Sequence, residues 1–177
     1  MQTNAHHASD EALVLRKTIQ KDSNQSITLL TKHHGKCIVT AFGTRRLLSK
    51  RLSHLETGNV IKCSWRENGE YKTLQETDLL YAHSAIKENS DKLNTLYLVF
   101  FVLFKLLPEN EPEIDVYTET LQFLKLLTKK AMTMRDTEKY IQAVVVLLGF
   151  IDAEQAKAPG FDVLRFVEEI IGRKIVI

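Results

Sequence analysis

Short runs of apolar and β-branched residues, separated by turn residues, fill the first 82 positions of the chain. This pattern is typical of strands, because Val, Ile, Leu and Thr favour a pleated surface and Asn, Asp and Gly favour turns. We predict five strands, at residues 12–17, 26–31, 36–42, 59–65 and 71–79. Asn68 and Gly69 stand between the last two runs and predict a tight hairpin, since both residue types tolerate a positive φ.

From residue 83 onward, apolar residues recur at the spacing of helices. We predict four helices: from a cap at Asn89, Ser90 or Asp91 to Leu107, from Pro112 onward, over 135–148, and over 161–171, with Gly149 and Gly172 ending the last two. Residues 153–160 are predicted to form a loop. Because residues 96–104 are apolar on every face, the first helix is expected at the centre of a bundle. The expected bundle core contains Val99, Phe100, Phe101, Phe104 and Leu124.

The order of these elements predicts an α+β chain that is all-β first and all-α afterwards. Residues 11–82 are the expected barrel domain, residues 83–177 the expected helical domain, and residues 1–10 a flexible tail. Five strands in about 70 residues is typical of a small Greek-key barrel, such as the oligonucleotide/oligosaccharide-binding (OB) barrel. An SH3-like barrel remains the alternative, because counting strands does not separate the two.

The composition excludes several classes of protein. Apolar residues make up 44% of the 177 residues, which is enough for a packed core. The longest uninterrupted apolar run, residues 96–104, has nine residues, whereas a membrane-spanning helix needs about 20. Two cysteines exclude a disulfide scaffold. Together with a polar start that lacks a secretory signal, they lead us to expect a protein of the reducing cytosol.

Positive charge is concentrated in the predicted barrel. The net charge is +2, but residues 1–82 carry 12 basic and 8 acidic residues, whereas residues 83–177 carry 12 and 14. Between Ser23 and Leu55 no residue is acidic and six are basic: Lys32, Lys36, Arg45, Arg46, Lys50 and Arg51. Such a block attracts a polyanion such as nucleic acid. A solvated basic face without a partner is the alternative.

No arrangement of residues typical of an enzyme is found in the sequence, so we expect no catalytic activity and no cofactor. His33, His34 and Cys37 come closest to a metal site. Adjacent histidines on a strand or turn should point to opposite sides, so we expect no metal there. The acidic residues between 109 and 113 are expected in a solvated turn between helices. Trp65 and Phe42 are expected in the barrel core rather than on a surface that stacks bases.

Six short segments follow one another in the order and spacing of a known family. Residues 11–15 read Glu-Ala-Leu-Val-Leu, residues 27–36 read Ile-Thr-Leu-Leu-Thr-Lys-His-His-Gly-Lys, and residues 42–52 contain Gly-Thr-Arg-Arg. Residues 71–80, 147–150 and 166–174 provide three later matches. Over residues 11–175 the chain thus resembles the RecO family of bacterial recombination mediators. Many members carry a four-cysteine zinc module after the segment matched by 147–150. No cysteine follows Cys63 here, so the resemblance is to a minimal form without that module.

The resemblance implies an OB barrel followed by a helical bundle, acting in DNA repair in the cytoplasm at the nucleoid. Such proteins bind single- and double-stranded DNA and anneal complementary strands. Together with RecR, they help to load the RecA recombinase onto DNA coated by single-stranded-DNA-binding protein. The six basic residues between Ser23 and Leu55 are the candidate DNA contacts, because Lys and Arg bind phosphates without reading sequence.

An adaptor protein is the alternative function. In this case the helical domain would bind RecR or the tail of single-stranded-DNA-binding protein, and contact with DNA would be incidental. The candidate basic residues for this binding are Lys125, Lys129, Lys130 and Arg135. A solvated helix end is the simpler explanation of these four.

Overall fold

The computed structural model describes residues 6–20, 24–42 and 53–175. The chain divides into two compact units. The first unit comprises residues 1–82 together with residues 108–112, and the second comprises residues 83–107 and 113–177. The five strands all lie before residue 82 and the helices of the second unit follow from residue 84 onward, which confirms the α+β class expected from the sequence.

All five predicted strands are present. They are β1 (His6–Ile19), β2 (Gln25–Thr31), β3 (Gly35–Ala41), β4 (Val60–Asn68) and β5 (Tyr71–Tyr81). β1 is longer than predicted, because residues 6–10 pair with β4 in a ladder that begins with His6 opposite Glu67. The expectation of a flexible tail is therefore wrong for residues 6–10. The polar side chains of these residues gave no strand signal in the sequence, but their backbone pairs with β4 throughout.

The strands close into a barrel in the order β1-β2-β3-β5-β4. Neighbouring strands are antiparallel except β3 and β5, which are parallel and meet at Thr40 and Thr73. β1 pairs with β4 along its first half and with β2 along its second half. Its register against β2 shifts between Val14 and Arg16, as expected where a strand bends to close a barrel. This arrangement is an OB-type barrel.

Alternate side chains of the five strands fill the barrel. Trp65 is the largest of them, and its indole N–H is satisfied by the Glu67 carboxylate at 2.9 Å. The buried cluster consists of Ala12, Val14, Ile27, Leu29, Val39, Ala41, Leu55, Ile61, Cys63 and Trp65. The predicted core position of Trp65 is confirmed. The prediction for Phe42 is wrong: this side chain is 54% exposed, because β3 ends at Ala41 and Phe42 lies beyond the last pair of the ladder.

Four long helices and two short ones follow. They are α1 (Ser84–Lys87), α2 (Ser90–Leu106), α3 (Ile114–Lys129), α4 (Met134–Leu147), α5 (Ala153–Ala156) and α6 (Val163–Ile171). The side chain of Asn89 caps α2 by accepting from the backbone of Lys92 at 3.0 Å. Gly149 and Gly172 have positive φ values of 73° and 64° at the ends of α4 and α6, as predicted. α5 lies within the segment predicted as a loop, and α3 begins two residues after Pro112.

α2 lies at the centre of the helical unit. It packs against α1, α3, α4 and α6, as its apolar sequence predicts. Val99, Phe100 and Leu124 are buried, which confirms them as core residues. Phe101 and Phe104 are only half-buried and lie at the edge of that core.

Residues 108–112 join α2 to α3 and belong to the barrel unit. The backbone N–H of Asn110 donates to the carbonyl oxygen of Lys36 at 2.9 Å, and Lys72 Nζ donates to Asn110 Oδ1 at 2.9 Å. The backbone comes so close that a Cβ built on Gly35 would lie 1.9 Å from the carbonyl oxygen of Glu111. The acidic segment is an exposed connection between two helices, as expected, and it is also hydrogen-bonded to Lys36 of β3 and Lys72 of β5.

We predict that Gly35→Ala lowers the free energy of unfolding by more than about 1 kcal/mol. The φ of Gly35 is +72°, and the added methyl would overlap the backbone of Glu111. Gly69→Ala is the matched control, because Gly69 has a φ of +61° and no atom within 4 Å of its Cβ position. Urea denaturation measures both losses. Equal losses would show that the close approach of residues 108–112 places no constraint on position 35.

Candidate nucleic-acid interface

The six basic residues predicted to contact DNA occupy different environments. Lys32 lies in the β2–β3 turn and is half-exposed. Lys36 lies on β3. Four residues fall outside the described part of the chain: Arg45, Arg46, Lys50 and Arg51. The long β3–β4 connection therefore carries most of the predicted cations.

Lys36 is only 7% exposed. Strand alternation turns its side chain away from the barrel interior, since Cys37, Val39 and Ala41 occupy the inward positions. Residues 109 and 110 lie along the same stretch of β3, where Glu109 forms a parallel bridge with Lys36. A buried ammonium is poorly placed to bind a phosphate of DNA, so we remove Lys36 from the candidate interface.

Exposed apolar and aromatic side chains lie along the parallel contact of β3 and β5. Ile38 and Phe42 are exposed on or just after β3, and Tyr71 at the start of β5 is 80% exposed. Thr40 of β3 pairs with Thr73 of β5. Phe42 lies two residues after Thr40, and Tyr71 lies two residues before Thr73. At ~3.3 Å per residue, the two rings are about 13 Å apart along the strands. This surface was not predicted from the sequence, because Phe42 was expected in the core.

The outer face of β1, β4 and β5 carries several acidic residues. Lys62 on β4 stands between Glu11 on β1 and Asp78 on β5. The next outward position, Ser64, stands opposite Glu76. Carboxylates beside Lys62 weaken its attraction for phosphate.

The β2–β3 turn is held by a buried carboxylate on β1. Asp10 accepts the Nδ1–H groups of both His33 and His34 at 2.9 Å. It also accepts the backbone N–H of His33 at 2.7 Å and that of Glu11 at 2.8 Å. The expectation that the two histidines point to opposite sides is wrong. They lie in a tight turn rather than in an extended strand, so both rings reach the same carboxylate.

These four donors stabilise the charged form of Asp10. Burial alone would raise the pKa of its carboxyl group, but the donors outweigh burial, and the pKa lies below its usual value. The donors are the His34 ring, the backbone and ring of His33, and the Glu11 backbone. Asp10 is therefore an anion at neutral pH and holds the turn against β1.

A chain of contacts continues from this turn around the end of the barrel. The ring of His34 stands edge-on to Trp65, with 5.2 Å between the ring centroids. Trp65 donates to Glu67, and Lys72 lies 3.7 Å from that carboxylate. Lys72 also binds Asn110 of the 108–112 segment. The β2–β3 turn, the β4–β5 hairpin and residues 108–112 are thus joined by side-chain contacts.

Among residues 6–20, 24–42 and 53–175, no group of three or more His, Cys, Asp or Glu side chains is placed to hold a metal ion. Both histidine Nδ1 atoms of the turn are occupied by Asp10. Burial raises the pKa of the Cys37 thiol and raises that of Cys63 to about 12, so both remain protonated at neutral pH. Within the same described residues, no helix has the length and apolar character needed to span a membrane.

The basic residues predicted on the helical unit are all exposed. They are Lys125, Lys129, Lys130 and Arg135. A different pair of cations borders a pocket of about 420 Å³ in this unit. The pocket is lined by Asn94, Tyr97, Leu98 and Phe101 of α2 and by Arg173, Lys174 and Ile175 after α6. Arg173 and Lys174 were not predicted as site residues, because only the fold brings them to the aromatic residues of α2.

The fold and its charged surface define an OB-type barrel protein with a helical second unit. Residues 4–83 match the family model described as "Recombination protein O N terminal". The chain is 25% identical over 142 residues to "DNA repair protein RecO" of a Thermoanaerobacter species, covering 80% of this chain and 57% of the relative. It is 28% identical over 126 residues to the protein of that name from Thermodesulfovibrio yellowstonii, covering 70% and 50%.

A third relative, "DNA repair protein RecO" of Wolbachia pipientis, is 23% identical over 175 residues, covering 94% of this chain and 69% of the relative. The chain spans only about half the length of the first two relatives. Together, the matched barrel and the relatives aligned along most of the chain support the resemblance of this protein to the RecO family.

We predict that Asp10→Asn lowers the free energy of unfolding at neutral pH by about 2 kcal/mol or more, because the charged acceptor of four hydrogen bonds is lost. The stabilisation by Asp10 is present above the usual aspartate pKa and is lost as pH falls through the lowered pKa of the folded state. The difference between variant and wild type should therefore shrink in acid.

Guanidinium denaturation at several pH values measures this difference. Asp78→Asn on the exposed outer face of β5 is the control, since it makes the same chemical change on a solvated side chain. If Asp10→Asn were no more destabilising than Asp78→Asn, the carboxylate would not hold the turn.

Proposed function

We propose that this protein is a DNA-binding recombination mediator of DNA repair. It binds single- and double-stranded DNA through the barrel, anneals complementary strands and assists RecA loading at the nucleoid, together with RecR and single-stranded-DNA-binding protein. The observation that carries the proposal is the coincidence of the family match over residues 4–83 with a segment, 23–55, that holds six basic residues and no acid. The names of the aligned relatives support a role in DNA repair.

Five cations are proposed to contact the DNA backbone: Lys32, Arg45, Arg46, Lys50 and Arg51. Such contacts fix the position of the strand without selecting a sequence. The exposed rings of Phe42 and Tyr71 are suited to stacking on unpaired bases, a contribution that every base can make. The loops of OB barrels are a common place for oligonucleotides to bind.

Annealing follows from the same charges. Two complementary strands repel each other through their phosphates, and cations that bind both strands reduce this repulsion. No bond is made or broken, so the proposed action is stoichiometric positioning rather than catalysis.

Binding to a single-stranded oligonucleotide should weaken with salt. If five cations each meet a phosphate, the slope of log K against log[salt] is about −3.5, at about −0.7 per contact on single strands. Arg45→Ala combined with Arg46→Ala should flatten the slope by about 1.4 and weaken binding to all sequences alike. Fluorescence anisotropy at several salt concentrations measures both quantities.

Lys62→Ala combined with Arg66→Ala is the matched control, because these two cations lie on the outer face of β4 that also carries acidic neighbours. The control should keep the wild-type slope. A loss confined to particular sequences, or an equal loss in the control, would refute the proposed phosphate contacts. Absence of binding at low salt would refute DNA binding itself.

The pocket beside α2 favours a second candidate function, that of an adaptor. Tyr97, Leu98 and Phe101 give it an apolar wall, and Arg173 and Lys174 give it positive charge. A peptide that ends in an apolar residue with a free carboxylate complements both features. The tail of single-stranded-DNA-binding protein is the proposed occupant.

Reversing the charge at the pocket tests this candidate. Arg173→Glu combined with Lys174→Glu should weaken binding of a labelled acidic tail peptide by at least tenfold, about 1.4 kcal/mol, in an anisotropy titration. Lys129→Glu combined with Lys130→Glu is the control and changes an equal charge on the same unit. If the control abolished binding and the pocket variant did not, the peptide site would lie at the end of α3 instead.

A further inference from the structure

The outer face of the barrel carries a row of hydroxyl groups that crosses four strands. Because strand residues such as Ile27, Val39 and Leu74 face the barrel core, alternation turns the residues next to them outward. At about 4.8 Å between neighbouring strands, the row is about 14 Å long. Successive cross-strand pairs of β1, β2, β3 and β5 place its four members side by side, and we call them the hydroxyl row: Thr18, Ser26, Thr40 and Thr73.

Two exposed aromatic rings flank the hydroxyl row where it crosses β3 and β5. Phe42 follows Thr40 by two residues and is 54% exposed, whereas Tyr71 precedes Thr73 by two residues and is 80% exposed. Because β3 and β5 are parallel, these opposite displacements place the two rings on opposite sides of the row. A chain that follows the hydroxyl row therefore passes between the two rings.

Positive charge stands at both ends of this face in the sequence. Arg16 and Lys17 are exposed on the second half of β1, beside Thr18. Phe42 leads directly into residues 43–52, which contain four of the six cations of the basic block. None of residues 16–19, 25–31, 35–42 and 71–75 is acidic. The face is thus compatible with an anionic chain.

Carboxylates border the face at β5 and at the start of β3. Glu70 and Glu76 each stand three residues from Thr73, about 10 Å along the strand. Glu109 lies beside Lys36, four residues and about 13 Å before Thr40. The middle of the face therefore offers neutral groups rather than cations. Hydroxyl groups donate hydrogen bonds to phosphate oxygens without carrying charge themselves.

We propose that this face binds a single strand of DNA: the hydroxyl row donates hydrogen bonds to the sugar–phosphate backbone, and Phe42 and Tyr71 stack on unpaired bases. The inference rests on the proposed DNA binding and deepens it, because it names the path of the strand and the origin of a preference for unpaired strands. Stacking on a protein ring requires a base with an accessible face, which the paired and stacked bases of a duplex lack.

The experiment measures the anisotropy of a labelled oligodeoxythymidylate and of a labelled duplex with the full chain, in salt titrations. The first key variant is Thr40→Val combined with Thr73→Val, which replaces each hydroxyl by a methyl group and retains a residue that favours strands. It should weaken single-strand binding by tenfold or more, about 1.4 kcal/mol. The slope of log K against log[salt] should stay that of the wild type, because a neutral hydroxyl releases no counterion.

The second key variant is Phe42→Ala combined with Tyr71→Ala. It should also weaken single-strand binding by about tenfold or more, since stacking contributes to every base that meets a ring. Both key variants should bind the duplex like the wild type. Urea denaturation checks that each variant folds.

The matched control is Ser9→Ala combined with Ser64→Ala. These two hydroxyls also stand opposite each other on the outside of the barrel, on β1 and β4, where Glu76 is the next neighbour across β5. The control should bind both probes like the wild type, because it removes the same chemical group away from the hydroxyl row and the rings.

The outcomes separate the two proposals. If the wild type binds neither probe at low salt, DNA binding and this inference fail together. If it binds only the duplex, or if either key variant keeps the wild-type affinity for the single strand, DNA binding stands and the inference fails. The latter result is expected if the face binds a protein instead. Equal losses for the duplex, a flatter slope in the hydroxyl variant, or an equal loss in the control would also overturn the inference.

Discussion

The barrel depends on the length of one strand. β1 pairs with β4 over His6–Leu13 and with β2 over Ala12–Ile19, so a single strand joins both edges of the sheet. A strand of the predicted length, residues 12–17, would leave most of the β4 edge without a partner. Closure matters because the edge groups of an open sheet lack hydrogen-bond partners and because the barrel must enclose Trp65.

The extension of β1 also supplies Asp10, and with it the geometry of the β2–β3 turn. Asp10 lies on the part of β1 that pairs only with β4. Among the described residues, the edge of β1 that faces away from β4 is free of a strand there, and the β2–β3 turn contacts Asp10 on that edge. From there, contacts through Trp65, Glu67 and Lys72 reach residues 108–112. One end of the barrel is thus a connected set of polar contacts. Loss of one member destabilises such a set, because its partners are left without a hydrogen bond.

The placement of charge follows from the same architecture. The outer face of β1, β4 and β5 mixes lysine and arginine with carboxylates. The β3–β5 surface exposes Phe42 and Tyr71, and Glu109 runs beside the first part of β3. The residues between β3 and β4 hold most of the basic block.

The sequence by itself determined the elements and their class. Short runs of apolar and β-branched residues bounded by turn residues predicted all five strands. The caps at Asn89, Gly149 and Gly172 predicted one end each of α2, α4 and α6. These signals act over a few neighbouring residues. The ordered motifs indicated the RecO family, and the match over residues 4–83 agrees. Local patterns were sufficient wherever the physical cause was local.

Only the tertiary structure decided which polar residues meet and which are covered. Lys36 alternates outward in sequence but is buried where Glu109 runs beside β3, more than 70 residues later. His33 and His34 converge on Asp10, 23 and 24 residues away, and Arg173 meets α2. These contacts join residues far apart in the chain. Closure of the barrel and packing of the helices bring such residues together. A periodic pattern within a short stretch of sequence carries no information about these contacts.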